Sequence, residues 1–227
     1  MTQPNVLKDF ERVAPEIVKK AADFQPAILS DVNGRRGAMH GRIQPLNRRM
    51  KLAGPALTVE VRPGDNLMIH AALSLAKPGD VLVIDGKADQ TCALMGAIMM
   101  NAARQRGLAG VVIDGAVRDA IELEELGFPV FSVGTNPNGP TKEVAGRIGH
   151  PVSCGGVTVH PGDFIVADAD GVMCVEREKI ESLLAAAAEK VVAEARRIDG
   201  IKQGDVGAPW LGQALVKAGV IKPGENL

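Results

Sequence analysis

The sequence predicts an α/β fold, and three observations carry that expectation. The first is the order strand, helix, strand over Val81–Ile84, Cys92–Arg106 and Val111–Ile113. Strands so far apart need a crossover and favour parallel pairing. The second is a change of pattern between Val152 and Val175, where short β segments alternate with turns at Gly155-Gly156, Pro161-Gly162-Asp163 and Asp170-Gly171. That is the rhythm of antiparallel strands. The third is a long helical stretch from Arg177 to Ile198, followed by a Gly/Pro-rich tail with a short helix around Trp210 to Ala218. The 227 residues are therefore expected as one α/β domain over 1–199 and a C-terminal arm over 200–227.

The elements follow in order. Val6, Phe10, Val13, Ile17 and Val18 recur at helical spacing and predict a helix over 6–22. Pro26 and the segment Asp31 to Gly37 break it into a loop. Ala56 to Val61 reads as a strand, turned by Pro63-Gly64-Asp65. Asp65 then caps a helix that runs through Ala76. Pro78-Gly79-Asp80 turns the chain into the strand Val81–Ile84. A helix is expected from Thr91 to Arg106, ended by Gly107. After Val111–Ile113 come a short helix over Glu122–Leu126, stopped by Gly127, and a strand over Pro129–Val133.

Composition narrows the function classes. The chain is 46% hydrophobic and 23% charged, which suits an ordinary globular domain with a sizeable core. Net charge is −1, so no basic surplus points to nucleic acid, and no polybasic run points to a membrane. Arg35-Arg36 and Arg48-Arg49-Met50-Lys51 read as solvated loop edges. Aromatics are 3% of the chain, with one Trp and no Tyr, too few for base-stacking platforms. Cys92, Cys154 and Cys174 match neither a disulfide framework nor a zinc spacing. They fit a reducing compartment, and a cytoplasmic location is expected. Met1 to Asn5 does not read as the start of a signal peptide.

The chemistry gathers in Gly110-Val111-Val112-Ile113-Asp114-Gly115-Ala116-Val117-Arg118-Asp119-Ala120-Ile121-Glu122. A buried strand ends in a turn that delivers Arg118, Asp119 and, one helical turn on, Glu122. Active sites in α/β proteins collect at such carboxyl ends. Arg118 offers a fork for a carboxylate or enolate oxygen. Asp119 offers a hard oxygen to Mg²⁺ or Mn²⁺, and magnesium needs only one or two protein carboxylates. Glu122 either holds a water at such a metal or is a first-turn acid favoured by the helix dipole. Gly96, at the start of its helix in Leu94-Met95-Gly96-Ala97-Ile98, either lets backbone amides reach an anion or serves packing. Asp85, Asp89 and Asp114 read first as turn or cap residues at strand ends. His70 reads as structural, and Lys142 either is solvated or meets an anion. His40, His150 and His160 lack the partners of a hydrolase triad, and Gly134 to Gly139 is a poor phosphate loop.

Leu94 to Ile98, its spacing to Gly115 through Glu122, and Asp163-Phe164-Ile165-Val166-Ala167-Asp168-Ala169-Asp170-Gly171-Val172 together resemble one family. It is the metal-dependent 4-hydroxy-4-methyl-2-oxoglutarate / 4-carboxy-4-hydroxy-2-oxoadipate aldolase family, which includes the "regulator of ribonuclease E activity A" proteins. The likeness runs from about residue 15 to residue 200 and takes in Asp31 to Pro45, Gly54 to Val59 and Pro63-Gly64-Asp65-Asn66. The resemblance implies a swivelling β/β/α fold, homotrimers or homohexamers, and sites between subunits. It implies that Arg118 contacts the pyruvate moiety, that Asp119 binds the divalent metal, and that the amides of Gly96, Ala97 and Ile98 hold the substrate carboxylate. It maps an acid from the neighbouring subunit to Glu194. Ala97 departs from the family, whose aldolases often carry an acid there, and the C-terminal tail differs too. The implied activity is a class II pyruvate aldolase that also decarboxylates oxaloacetate, with a water relayed by Asp119 or a nearby acid as base. The alternatives are a non-catalytic ribonuclease regulator and a lyase of the same fold acting on another 2-oxo acid.

Overall fold

A computed structural model of the chain describes residues 5–225. Residues 1–4, on which most of the leader reading rests, lie outside it. The elements are α1 (Pro15–Ala21), α2 (Pro26–Val32), β1 (Gln44–Pro45), β2 (Leu52–Glu60), α3 (Leu67–Leu75), β3 (Val81–Met95), α4 (Ala97–Gln105), β4 (Gly110–Val117), α5 (Ala120–Leu126), β5 (Val130–Thr135), β6 (Arg147–Ile148), β7 (Val152–Cys154), β8 (Val157–Val159), β9 (Phe164–Asp168), β10 (Gly171–Val175), α6 (Ile180–Lys202) and α7 (Leu211–Lys217). Contacts divide the chain into two units, 1–187 and 188–227. The boundary falls inside α6 rather than at its end.

The first unit is built on a mixed sheet in the order β1-β5-β4-β3-β2-β9-β10, with β6 paired to β2. Strands β2, β3, β4 and β5 are mutually parallel, and β3 beside β4 is the pair that the strand–helix–strand order predicts. The region 152–175 is antiparallel, with β7 on β8 and β9 on β10. Strand β2 serves two neighbours in succession. Leu52 to Pro55 pairs antiparallel with β9, and Ala56 to Glu60 pairs parallel with β3.

The central strands are buried on both faces, and alternate side chains divide between two cores. Leu57, Val59, Leu82, Ile84, Val111 and Ile113 point to the layer of α3, α4 and α5, against Ile69, Met100 and Leu123. Ala56, Val81, Val83 and Val112 point the other way, against Cys154, Val159 and Ile165. A third cluster packs Ile17 of α1 and Leu29 of α2 on Phe164 and Val175, with Ile180 at the start of α6. Each such buried aliphatic side chain stabilises the fold by about 1.5–3 kcal/mol. This rigid double-sided sheet fixes where its strand ends lie.

Three sequence expectations are corrected. The predicted helix over 6–22 contracts to α1. Pro15 disfavours helical geometry in the residue before it, and Ala14 is extended at ψ 139°. The preceding stretch instead reaches Ile148, whose N–H donates to Asn5 O and whose carbonyl accepts from Leu7. Pro26 does not simply end a helix; it opens α2 in the first turn, where its missing N–H costs nothing. The helix expected from Thr91 begins only at Ala97, because the sheet claims the backbone before it. Ala93 pairs with Ala116 and Met95 with Val117. An apolar run such as this is ambiguous between strand and helix until its partners are known.

In the second unit, Lys190 pairs with Glu194 at 2.9 Å along α6. Arg197 joins α6 to the following loop through Asp205 at 3.0 Å and through Gly207 O. Among the described residues no helix is long and apolar enough to cross a membrane.

Candidate active site

The site forms where β3, β4 and β5 end side by side. The Arg118 N–H donates to Met95 O at 3.0 Å, and the Asn136 N–H donates to Val117 O at 2.9 Å. These bonds tie the last residues of the strands together. Immediately beyond β4 the chain turns sharply. Asp119 adopts a left-handed conformation, φ 63° and ψ 44°. A non-glycine residue there is uncommon, although Asp tolerates it better than most. The turn lets α5 begin at once, and Leu123 N–H closes its first turn on Asp119 O.

The conformation places the Asp119 carboxylate over the start of α4. The Ala97 N–H donates to Asp119 Oδ2 at 2.8 Å, and the Arg118 Nε lies 3.8 Å from the same oxygen. Gly96 makes room for both. A Cβ at Gly96 would stand 2.4 Å from Asp119 Oδ2 and 2.8 Å from Arg118 Cγ. Further out, a Cβ at Gly139 would stand 2.9 Å from Arg118 Nη1. Gly96 is the crowded position, meeting both side chains, whereas a Cβ at Gly139 would meet only the movable end of Arg118. Both side chains stay reachable from solvent, Arg118 at 42% and Asp119 at 37% exposure.

A cavity lined by Asn66, His70, Met99, Arg118, Asp119 and Lys142, among others, opens beside this pair. The loop carrying Lys142 is held by Asp65, which stands one residue before Asn66, the N-cap of α3, rather than at the cap position the sequence gives it. The Leu67 N–H donates to Asp65 Oδ1 at 3.0 Å. Asp65 Oδ2 accepts from Thr141 Oγ1 at 2.7 Å and from the N–H groups of Glu143 and Val144. Burial pushes the Asp65 carboxyl up, but these hydrogen bonds outweigh it and leave its pKa below the ordinary carboxylate value. One carboxylate thus clamps the loop carrying Gly139 and Lys142 onto α3.

Of the residues the sequence singled out, Arg118, Asp119, Gly96 and Ile98 line this one cavity. Ala97 adjoins it through its amide, which is engaged by Asp119. Glu122 is exposed in the first turn of α5 and does not line the cavity. Glu194 lies in the second unit, paired with Lys190. Asp85, Asp89 and Asp114 are turn or bridge residues. Asp85 binds Lys87 at 2.6 Å, Asp89 accepts from Thr91, and Asp114 takes a bidentate Arg42 at 2.8 and 2.9 Å.

Sequence reasoning gave no site role to Asn66, Gly139 or His70, and it weighed Lys142 as an anion contact without placing it beside Arg118. His70 and Lys142 are 72 residues apart, so no local pattern joins them. The one available signal was the polar Asp65-Asn66 pair directly before an apolar helix.

The donor set can be tested against a divalent metal. Among the described residues no three His, Cys, Asp or Glu side chains group as a metal cage. Asp119 instead presents a single solvent-accessible carboxylate, fixed through Oδ2 by a backbone N–H. That fits a hard cation that keeps most of its waters.

These features define an α/β protein with an Arg–Asp site at the carboxyl ends of parallel strands. Residues 15–174 match the model of the RraA-like family, described as Aldolase/RraA. The chain is 45% identical over 148 residues to a Halalkalibacterium halodurans protein named "Putative 4-hydroxy-4-methyl-2-oxoglutarate aldolase", covering 65% of this chain and 70% of that one. It is 33% identical over 159 residues to an Arabidopsis thaliana protein of the same name, numbered 3, covering 70% and 94%. The crystal structure of Streptomyces coelicolor RraAS2, described as an unusual member of the RNase ES inhibitor RraA protein family, superposes with a TM-score of 0.75 at 29% identity, over 83% of this chain and 98% of that one. The chain belongs to the RraA-like family, and its mixed α/β fold is the fold of that family.

Proposed function

We propose that this protein is a divalent-metal-dependent pyruvate aldolase. Its substrates are 4-hydroxy-4-substituted 2-oxo acids such as 4-hydroxy-4-methyl-2-oxoglutarate and 4-carboxy-4-hydroxy-2-oxoadipate, and it also decarboxylates oxaloacetate. The observation that carries this reading is the Arg118 guanidinium beside the Asp119 carboxylate in a reachable cleft, with Gly96 leaving room for both.

Asp119 is the residue that would hold Mg²⁺ or Mn²⁺. Bound there, the metal supplies Lewis-acid polarisation of the 2-oxo group. Arg118 donates a charge-assisted hydrogen bond to the 2-oxo oxygen and strengthens it as that oxygen gains enolate charge. In aldol cleavage a water relayed by Asp119 or a nearby acid takes the 4-hydroxyl proton, C4 becomes a carbonyl carbon, and the C3–C4 electron pair passes into the enolate. Protonation at C3 then gives pyruvate. In oxaloacetate the same bond breaks with loss of CO₂, and no hydroxyl proton has to be removed. The Ala97 N–H holds Asp119 in place, so the carboxylate needs little reorganisation.

Pyruvate release from oxaloacetate and from 4-hydroxy-4-methyl-2-oxoglutarate, with Mg²⁺ or Mn²⁺, tests the reading. Arg118→Ala should lower the rate by ~10²–10³, the usual cost of losing one such donor. EDTA should silence the enzyme and either metal should restore it. Wild-type-like turnover by Arg118→Ala removes the assignment. The assembly that goes with this reading is a homotrimer or homohexamer in which Glu194 of a neighbouring copy completes the site; sedimentation as a monomer would count against it.

Two observations favour a second reading. Ala97 brings no carboxylate to the site, and the chain is similar to RraAS2 as well as to the aldolase-named proteins. A non-catalytic ribonuclease regulator would release no pyruvate from any 2-oxo acid and would form a complex with the nuclease.

A further inference from the structure

Arg118 is placed by packing rather than by bonding. Among the described residues its guanidinium makes no hydrogen bond, and its ionic partner, Asp119 Oδ2, lies 3.8 Å from Nε. Its N–H donors therefore stay available to a ligand. The side chain also borders two cavities, one with Asn66 and Lys142, the other with Ala120, Thr135, Asn136 and Pro137. A long side chain with room on two sides keeps one direction only where walls restrict its rotamers. Gly96 crowds the stem, since a Cβ there would stand 2.8 Å from Cγ and 3.1 Å from Nε. Gly139 meets the tip, since a Cβ there would stand 2.9 Å from Nη1. Gly96 sits at the junction of β3 and α4, whereas Gly139 belongs to a loop and is placed only as firmly as that loop is.

Two asparagines bind the loop to β3. Asn136 Nδ2 donates to Gln90 O at 2.8 Å, and Asn138 Nδ2 donates to Thr91 O at 3.0 Å. Gln90 and Thr91 fall where the β3–β4 ladder slips, between Asp89 and Ala93, so side-chain amides stand in for strand partners there. The Asn138 carbonyl accepts from the N–H of buried Ala93 at 2.9 Å. Asn136 Oδ1 accepts from the Asn138 N–H at 2.9 Å and closes a turn around Pro137. An amide suits this place because it donates and accepts at once, which a carboxylate does not. The other end of the loop is tied at Thr141, whose carbonyl accepts from the Asn66 N–H at 3.0 Å. Gly139 lies between the two anchorages, directly after Asn138.

We infer that Asn136 and Asn138 are positioning residues for Arg118: they hold Gly139 against Nη1 and so set the direction in which the guanidinium presents its donors. Their part in turnover rests on the proposed role of Arg118 as donor to the 2-oxo oxygen. A hydrogen bond weakens steeply as it departs from linearity, and a donor stabilises developing charge most when it is already aimed at it. The asparagines act on the reaction through Gly139 and Arg118, with no contact to the reacting atoms.

Two measurements test this role. The rate at which phenylglyoxal modifies Arg118, followed by peptide mass spectrometry, reads the freedom of the guanidinium without any turnover. Asn136→Ala and Asn138→Ala should each raise that rate about threefold or more, because a released side chain samples more solvent. Modification of Arg35, whose side chain is 85% exposed, should stay unchanged as the internal control. An unchanged rate at Arg118 in either variant overturns that residue's part. In pyruvate release from oxaloacetate, Asn138→Ala and Gly139→Ala should each lower kcat/KM about tenfold or more, within the cost of misplacing a catalytic group. In an Arg118→Ala background the same two changes should lower it less than about twofold, because coupled residues are not additive. Equal losses in the two backgrounds would mean that the loop serves only the fold, and they overturn the assignment. Gly139→Ala keeps the test decisive if Asn138→Ala proves unstable, because its Cβ meets only the far end of a flexible side chain. A wild type that releases no pyruvate removes the proposed function, and the phenylglyoxal rates still decide the role of the asparagines.

Discussion

The absent side chain of Gly96 and the carboxylate of Asp119 occupy one space: a Cβ at residue 96 would stand 2.4 Å from Asp119 Oδ2. Gly96 has an extended backbone, φ −147° and ψ −167°, which any residue can adopt. Its requirement is therefore steric. Gly96→Ala should leave the thermal midpoint close to wild type while displacing Asp119 and Arg118. Misplacing catalytic groups by about 1 Å can cost ~10² in rate, and a loss of that order in pyruvate release is expected. Full activity in a folded Gly96→Ala protein would show that the carboxylate position is not needed.

On the proposed reading Asp119 has two separable tasks, one in backbone geometry and one in charge. Asn tolerates the left-handed conformation and still offers Ala97 an acceptor, so Asp119→Asn should melt near wild type. It should nevertheless bind Mn²⁺ far more weakly, as read by electron paramagnetic resonance of the free ion. Asp119→Ala should lose Mn²⁺ and stability together, because Ala in this conformation costs about 1–2 kcal/mol and the Ala97 N–H loses its acceptor. Equal Mn²⁺ affinity in wild type and Asp119→Asn would move the metal elsewhere.

Ala97 opens α4 beside Asp119. An acid placed there would add a second hard oxygen ligand, and magnesium sites commonly use one or two. Ala97→Asp should tighten Mg²⁺ and Mn²⁺ binding by calorimetry. Unchanged or weaker affinity would mean that position 97 does not face the metal.

Asp65 links stability to acid pH. Its pKa is depressed in the fold by the donors from Thr141, Glu143, Leu67 and Val144. A depressed carboxylate contributes stability that is fully present above its unfolded pKa of about 3.9 and is lost as pH falls through the lower folded value. The difference in melting temperature between wild type and Asp65→Asn should be constant from pH 7 to about pH 4.5 and shrink below about pH 4. A gap that widens with acid would reverse the assigned sign. At neutral pH, Asp65→Ala should cost at least the ~1–3 kcal/mol of one unsatisfied buried donor.

The sequence by itself determined the parallel order of β3 and β4, the antiparallel region over 152–175, the turn at Asp65 and the placement of Arg118 and Asp119 at a strand end. Each follows from local rules: apolar runs of strand length, turn residues and short polar caps act within a few residues. Only the tertiary structure decided that residues 91–95 are strand, because β4 and the Asn138 carbonyl hold their backbone. It alone brought Asn66, His70, Gly139 and Lys142 to Arg118. Their approach depends on Asp65 pairing with a loop 76 to 79 residues away. Contacts over that distance are fixed by which strand neighbours which, and no stretch of sequence read alone contains that information.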